Sequence, residues 1–106
     1  MPILSWVVFL VAALLEVGGD AVVRTGLRGS RPLVIGLGMV MLGCYGLVVN
    51  SVRWDFSKLL GVYVAVFALV SVLAGKFAFA ERVPPSTWIG LGLIVAGGAV
   101  VQFGGR

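Results

Sequence analysis

Two observations on the sequence predict an all-α membrane protein, a bundle of four transmembrane helices. Of its 106 residues, 60% are hydrophobic and only 11% are charged, whereas about a quarter of the residues in soluble domains are charged. The apolar residues also fall into four stretches of about 20 residues, the length that crosses roughly 30 Å of hydrocarbon as a helix. Because these stretches take up most of the chain, residues 1–106 are predicted to form one four-helix domain.

The first helix is predicted over residues 3–23, where every residue before Glu16 except Ser5 is apolar. No basic residue precedes this stretch and no small-residue cleavage site follows it, so we expect a retained helix rather than a signal peptide. The segment 24–32 contains three Arg, two Gly and a Pro and is predicted to be a positively charged turn. A second, glycine-rich helix is predicted over residues 33–51.

The second half of the chain repeats this organisation. Residues 52–58 are polar or amphipathic and form a short connection to the third helix, which is predicted over residues 59–80. Pro84 and Pro85 follow, and proline cannot continue a helix interior. The fourth helix is therefore predicted over residues 87–103.

Charge and residue types exclude several classes of function. The net charge is +4, but the basic residues fall at predicted helix ends, where lipid headgroups account for them, so no nucleic-acid partner is expected. The chain has no His and one Cys, so we predict no metal cluster and no other cofactor. Nucleophile–base pairs and phosphate-binding loops are also missing from the sequence, so we do not expect an enzyme.

Glu16 is the residue around which the predicted site is built. An acidic residue at the centre of a transmembrane helix costs roughly 2.5 to 3.5 kcal/mol, so an intramembrane carboxylate is by default a functional candidate. Asp20 and Arg24 follow at intervals of four residues and share its helix face. Small residues beside this face are expected to line a ligand cavity: Ala12, Ala13 and Gly19.

This arrangement suits the exchange of a proton for a cation. Burial favours the protonated form of Glu16. Asp20 is predicted either to modulate the pKa of Glu16 or to contact the substrate, and a structural ion pair with Arg24 is the alternative. A carboxylate that holds either a proton or a cation makes the two ligands compete, so an inward proton gradient drives the cation outward. A structural reading stays open, in which Glu16 is neutralised by protonation or by a basic residue and holds helices together.

The cavity and the assembly are predicted from the other helices. Tyr63 and Phe67 are expected to line the cavity, because an aromatic ring attracts a cation by about 0.5 to 2 kcal/mol; packing is the alternative role. Four helices enclose little space, so the cavity is easier to build between two copies. Gly90 and Gly97 lie on one face of the fourth helix and let a second helix dock closely. We expect a homodimer, with a heterodimer as the alternative.

The sequence stretches LLEVGGDAVVRTGL and AERVPPSTWIGLGLIVAGGAVV, with the size and the four helices, resemble the small multidrug resistance family of the drug/metabolite transporter superfamily. The resemblance runs nearly end to end. It implies that Glu16 binds proton and cationic substrate alternately, that Arg24 is the basic residue at the end of helix 1, and that Gly90 and Gly97 pack the dimer. It also implies an antiparallel dimer in a prokaryotic inner membrane that exports guanidinium or lipophilic quaternary ammonium ions.

The chain departs from that family in the third helix. The stretch LLGVYVAVFALVS has Tyr63 in an aromatic position but lacks the family's Trp and kink glycines. The pieces EVGG and GVYV also resemble the YnfA-like four-helix proteins, an outlying branch of the same superfamily.

Other functions and topologies stay open at this point. The Lys and Arg residues divide almost evenly between the two sides of the membrane, so both orientations of the chain are allowed. With the same fold, the protein could instead be a subunit of a lipid or lipid-linked-sugar flippase, or a membrane subunit that transports nothing.

Overall fold

The computed structural model describes the backbone of residues 2–104 and the side chains of residues 3–104. Within them the chain forms four helices and no strand: α1 (Pro2–Arg28), α2 (Pro32–Val49), α3 (Phe56–Phe77) and α4 (Pro85–Gly104). Each helix is long and apolar enough to cross a membrane, so the predicted all-α membrane fold is confirmed. The helices pair as two hairpins, α1 with α2 and α3 with α4. Their assembly into one four-helix domain stays a prediction.

The first helix is longer than the sequence analysis predicts. It continues to Arg28, whereas the predicted end is Val23. The Arg and Leu residues of this extra segment are good helix formers, and the Thr25 hydroxyl donates a hydrogen bond to the Ala21 carbonyl at 2.9 Å. Residues 24–28 of the segment assigned to a turn therefore form the end of the helix.

A turn of three residues, 29–31, joins α1 to α2. The Arg31 N–H donates to the Gly26 carbonyl at 2.9 Å, and Ser30 adopts the left-handed conformation with φ 54°. The next helix begins at Pro32, because proline has a suitable φ and no N–H that would need a partner in the first turn. The turn is short, so the two helices run antiparallel as neighbours.

Glycines bring the backbones of α1 and α2 close together. A Cβ atom built on Gly38 would lie 2.8 Å from the Val23 nitrogen and 2.9 Å from the Gly19 carbonyl oxygen. A Cβ on Gly26 would lie 2.8 Å from the Ile35 nitrogen. Side chains do not fit at such separations, so the approach requires glycine. Three other glycines of α2 face open space instead: Gly36, Gly43 and Gly46.

The α3–α4 hairpin uses the same kind of contact. A Cβ on Gly98 would lie 2.6 Å from the Ala65 Cβ, and one on Gly61 would lie 3.2 Å from the Val101 side chain. These small residues allow the helices to pack along their length. Apolar side chains of the two helices are also buried: Leu59, Val62 and Leu91.

The connection between α3 and α4 differs from its predicted bounds at both ends. The third helix ends at Phe77, because Ala80 adopts φ 53° and the Phe79 N–H donates to the Ala74 carbonyl at 3.3 Å. The fourth helix begins at Pro85, two residues before its predicted start. Proline cannot continue a helix interior but is well tolerated in the first turn.

Substitution of Gly38 by alanine is expected to destabilise the protein, because the added methyl group meets the α1 backbone rather than a movable side chain. The expected loss is about 1 to 3 kcal/mol of unfolding free energy, measured by thermal or denaturant unfolding in one detergent. Gly43→Ala is the matched control, since the same helix faces open space at that position. Equal stability of the two variants would contradict this packing.

Candidate functional site

The Glu16 carboxylate lies near the middle of α1. Glu16 is the fifteenth of the 27 residues in this helix, and its side chain is half-buried. It interacts with other parts of the protein. A side chain this far from both helix ends cannot reach the headgroup region, so its charge must be compensated by protonation, by the protein or by a ligand.

The register of the first hairpin places Tyr45 of α2 across from Glu16. Three closely approaching pairs define this register: Gly26 with Ile35, Val23 with Gly38, and Gly19 with Leu42. From one pair to the next, the residue number falls by three or four on α1 and rises by the same amount on α2, as expected for antiparallel helices. The next step of three residues pairs Glu16 with Tyr45.

Tyr45 is half-buried and lies within the electrostatic field of both acidic residues of α1, Glu16 and Asp20. The two carboxylates and the phenol hydroxyl therefore form one polar cluster on the apolar hairpin, with Asp20 at its exposed side. A phenol hydroxyl can donate a hydrogen bond to a carboxylate or accept one from a protonated acid. The phenol can thus form a hydrogen bond with the acids whether they are protonated or ionised.

The sequence analysis missed Tyr45 and chose Tyr63 as the candidate tyrosine. Tyr45 could have been found by pairing the residues of the two antiparallel helices outward from the turn that joins them. A turn over the predicted segment 24–32 pairs Glu16 with Val40, whereas the helix contacts that follow the turn at residues 29–31 pair it with Tyr45. The early end predicted for α1 therefore concealed this residue.

Asp20 and Arg24 are both exposed, one helical turn apart on α1. In the part of the chain that the structure describes, they form no ion pair with each other. Arg28 is the last residue of α1, so Arg24 lies one turn before the helix end at which it was predicted. The predicted roles of Asp20 and Arg24 stay predictions. Within residues 3–104, no three His, Cys, Asp or Glu side chains group together as metal ligands.

The small residues predicted to line a cavity are buried. Ala12 and Ala13 have no exposed surface. Gly19 packs against α2, where an added Cβ would lie 2.9 Å from the Leu42 side chain, so it serves helix packing. The next step of the register pairs Ala12 with Val49, which is also buried. A cavity lined by the three small residues stays a prediction.

Tyr63 and Phe67 lie on α3, in the second hairpin. Their rings are stacked, with centroids 6.3 Å apart and planes inclined by 29°. Tyr63 is only 2% exposed, and it has a further interaction with the protein. The pair is one stacked aromatic unit, and its contact with a substrate stays a prediction.

The two glycines predicted to pack a dimer lie on an open face of α4. A Cβ on Gly90 or on Gly97 would have no heavy atom within 4 Å. The neighbouring Gly98 is different, because it is buried against Ala65 of α3. In this helix Gly98 thus lies inside the hairpin, whereas Gly90, Gly92 and Gly97 have open space beside them.

Comparisons with known proteins identify relatives in several bacteria. A UPF0060 membrane protein of Saccharopolyspora erythraea is 37% identical over 106 residues, covering 96% of this chain and 94% of the relative. A UPF0060 membrane protein of Nocardia farcinica is 36% identical with the same coverage of both chains. Another, from Mycolicibacterium vanbaalenii, is 34% identical over the full length of both chains.

No family model matches the chain, and no solved structure matches it. The names of the relatives support a membrane protein and do not mention small multidrug resistance, so that finer assignment stays a prediction. The identities hold over nearly the full length of both chains, and the same name recurs among the relatives. The chain belongs to the UPF0060 membrane protein family.

Proposed function

We propose that this protein is a proton-coupled antiporter that exports small or lipophilic organic cations of the quaternary ammonium or guanidinium type. The observation that carries the proposal is the half-buried carboxylate of Glu16 at the middle of an apolar helix, with Tyr45 across from it. The resemblance to the small multidrug resistance family adds the expectation that this acid binds proton and substrate alternately.

Coupling follows from the cost of an uncompensated charge in the membrane. With a proton bound, Glu16 is neutral, and with a cation bound, the ion pair is neutral as a whole. The empty site carries a carboxylate whose charge is neutralised neither by a proton nor by a substrate, and an acidic residue at the helix centre costs roughly 2.5 to 3.5 kcal/mol. That cost disfavours reorientation of the empty site by roughly 100-fold, so each reorientation carries either a proton or a substrate.

Asp20 and Tyr45 adjust this exchange. Asp20 adds a second negative charge near the site. This charge strengthens the attraction for a cationic substrate and also for a proton, so the two compete more strongly for Glu16. The Tyr45 hydroxyl supplies a polar partner to the ionised carboxylate when no substrate is bound. A buried charge without any hydrogen-bond partner would be far more costly.

The rest of the cavity comes from the aromatic unit of α3 and from a second copy of the chain. Tyr63 and Phe67 offer stacked rings that attract an organic cation by about 0.5 to 2 kcal/mol. The open face at Gly90 and Gly97 lets α4 of another copy approach closely, as small residues do in membranes. The assembly is a homodimer, or a heterodimer with a related chain, and it lies in the inner membrane of a prokaryote.

Substitution of Glu16 by glutamine is expected to abolish proton-coupled transport, because the amide can neither release a proton nor pair with a cation. Glu16→Asp keeps the charge and should retain a measurable fraction of the activity. The measurement is solid-supported membrane electrophysiology on reconstituted protein, with a panel from guanidinium to quaternary ammonium ions. Asp55→Asn is the matched control, because it removes one carboxylate outside the helices.

Two results would contradict the assignment of Glu16. Full proton-dependent current in Glu16→Gln would show that the exchange site lies elsewhere. An absence of current from folded wild-type protein with every cation tested would reject the antiporter and favour the flippase or non-transporting alternatives.

Substitution of Gly97 by leucine is expected to reduce dimer formation several-fold, because a large side chain fills the open face of α4. Gly92→Leu is the matched control: it also faces open space but points about 140° away from Gly97 around the helix. The dimer fraction is measured by fluorescence energy transfer between labelled copies in lipid. Equal dimerisation of the two variants would reject this face as the interface.

A further inference from the structure

The connection between α3 and α4 forms a groove of about 350 Å³, referred to below as the α3–α4 groove. Its polar lining side chains come from α3, from the connection and from the first turn of α4: Ser71, Glu81, Arg82 and Thr87. Valine and proline side chains complete the walls. The volume is at the lower end of the range for small-molecule sites, so the groove admits one compact polar group.

The groove presents two opposite charges that do not neutralise each other. Glu81 and Arg82 are both exposed. Among the residues that the structure describes, neither forms an ion pair. A site with a separate anion and cation is complementary to a ligand that carries both charges. A purely anionic or purely cationic ligand would be repelled by one of the two groups.

The fold fixes the position of the Glu81 carboxylate. Its backbone N–H donates to the Gly75 carbonyl at 2.9 Å. Gly75 is buried, and a Cβ built on it would lie 2.5 Å from Oε1 of Glu81. The carboxylate therefore rests on the α3 backbone at a place that a side chain would occupy. An alanine at position 75 would displace this carboxylate without changing its charge.

The groove lies at the headgroup level of the membrane, because it is formed where two apolar spans end. Lys76 supports this placement, since its Nζ lies 5.3 Å from the Trp88 ring centroid and 5.5 Å from that of Phe77. Tryptophan and lysine at helix ends are typical of the membrane–water interface. Phe77 and Ile89 are largely exposed on the bordering helix ends, where acyl chains would cover them.

We propose that the α3–α4 groove binds the headgroup of a zwitterionic phospholipid of the ethanolamine class. The ammonium group pairs with Glu81, and the phosphate pairs with Arg82 at the positive end of the α4 dipole. The Thr87 hydroxyl is placed to bond the phosphate. The exposed apolar side chains favour a lipid over the free headgroup. This inference does not rest on the proposed transport activity.

The test is a lipid titration of the purified protein, followed by native mass spectrometry. Phosphatidylethanolamine, phosphatidylcholine and phosphatidylglycerol with identical acyl chains are compared, with free phosphoethanolamine as a competitor. Wild-type protein is expected to prefer phosphatidylethanolamine over phosphatidylglycerol by about two- to fivefold, the range for a single exposed ion pair. Phosphatidylcholine should bind more weakly than phosphatidylethanolamine, because its ammonium group has no N–H to donate.

Four variants separate the contributions. Glu81→Gln should lose the preference for phosphatidylethanolamine over phosphatidylglycerol, and Gly75→Ala should lose it too although the charge is kept. Arg82→Gln should weaken the binding of both lipids. Asp55→Asn, which removes a carboxylate from the other inter-helix connection, should change nothing. Circular dichroism confirms that each variant keeps its helices.

Three outcomes would overturn the proposal. The first is wild-type protein without a preference for phosphatidylethanolamine, and the second is an unchanged preference in Glu81→Gln. The third is competition by free phosphoethanolamine as effective as that of the lipid, which would assign the groove to a soluble ligand.

Discussion

Close contact between the α1 and α2 backbones is the constraint on which the first hairpin depends. Gly38 lies where a Cβ would be 2.8 Å from the Val23 nitrogen and 2.9 Å from the Gly19 carbonyl oxygen. Neither helix can rotate or slide at this point without bringing a side chain into the contact. The register is therefore set by glycines, and it determines which residues face each other further along the helices. One consequence is that Tyr45 lies opposite Glu16.

This register explains how an apolar helix can carry an acid at its middle. A carboxylate at that depth costs several kilocalories per mole when its charge is uncompensated, and the Tyr45 hydroxyl of the polar cluster lowers that cost. A hydroxyl leaves the carboxylate able to take up a proton or a cation. The cluster thus has the properties that an exchange site needs.

The fold was predictable from the sequence because four apolar stretches of membrane-spanning length have few alternatives. The C-terminal end of α1 was not predictable, because the Arg, Thr and Gly residues that follow Val23 are compatible with a turn as well as with a helix. That one error moved the turn and concealed Tyr45. Gly19 shows a second limit of the sequence analysis. A small residue leaves room either for a ligand or for the close approach of another helix, and the sequence does not distinguish the two. Only the packed structure shows that Gly19 lies against Leu42. The place of Glu16 inside a helix followed directly from the sequence.

The most direct test of the account is disulfide crosslinking of positions 16 and 45. Glu16→Cys and Tyr45→Cys are combined with Cys44→Ser, which removes the single native cysteine, and the protein is oxidised in membranes. Two cysteines join only when their Cα atoms lie within about 7 Å. The account predicts an intramolecular disulfide between positions 16 and 45 and none between Glu16→Cys and Val40→Cys, the pair given by a turn at residues 24–32. A crosslink to position 40 instead of 45 would contradict the register and the site built on it.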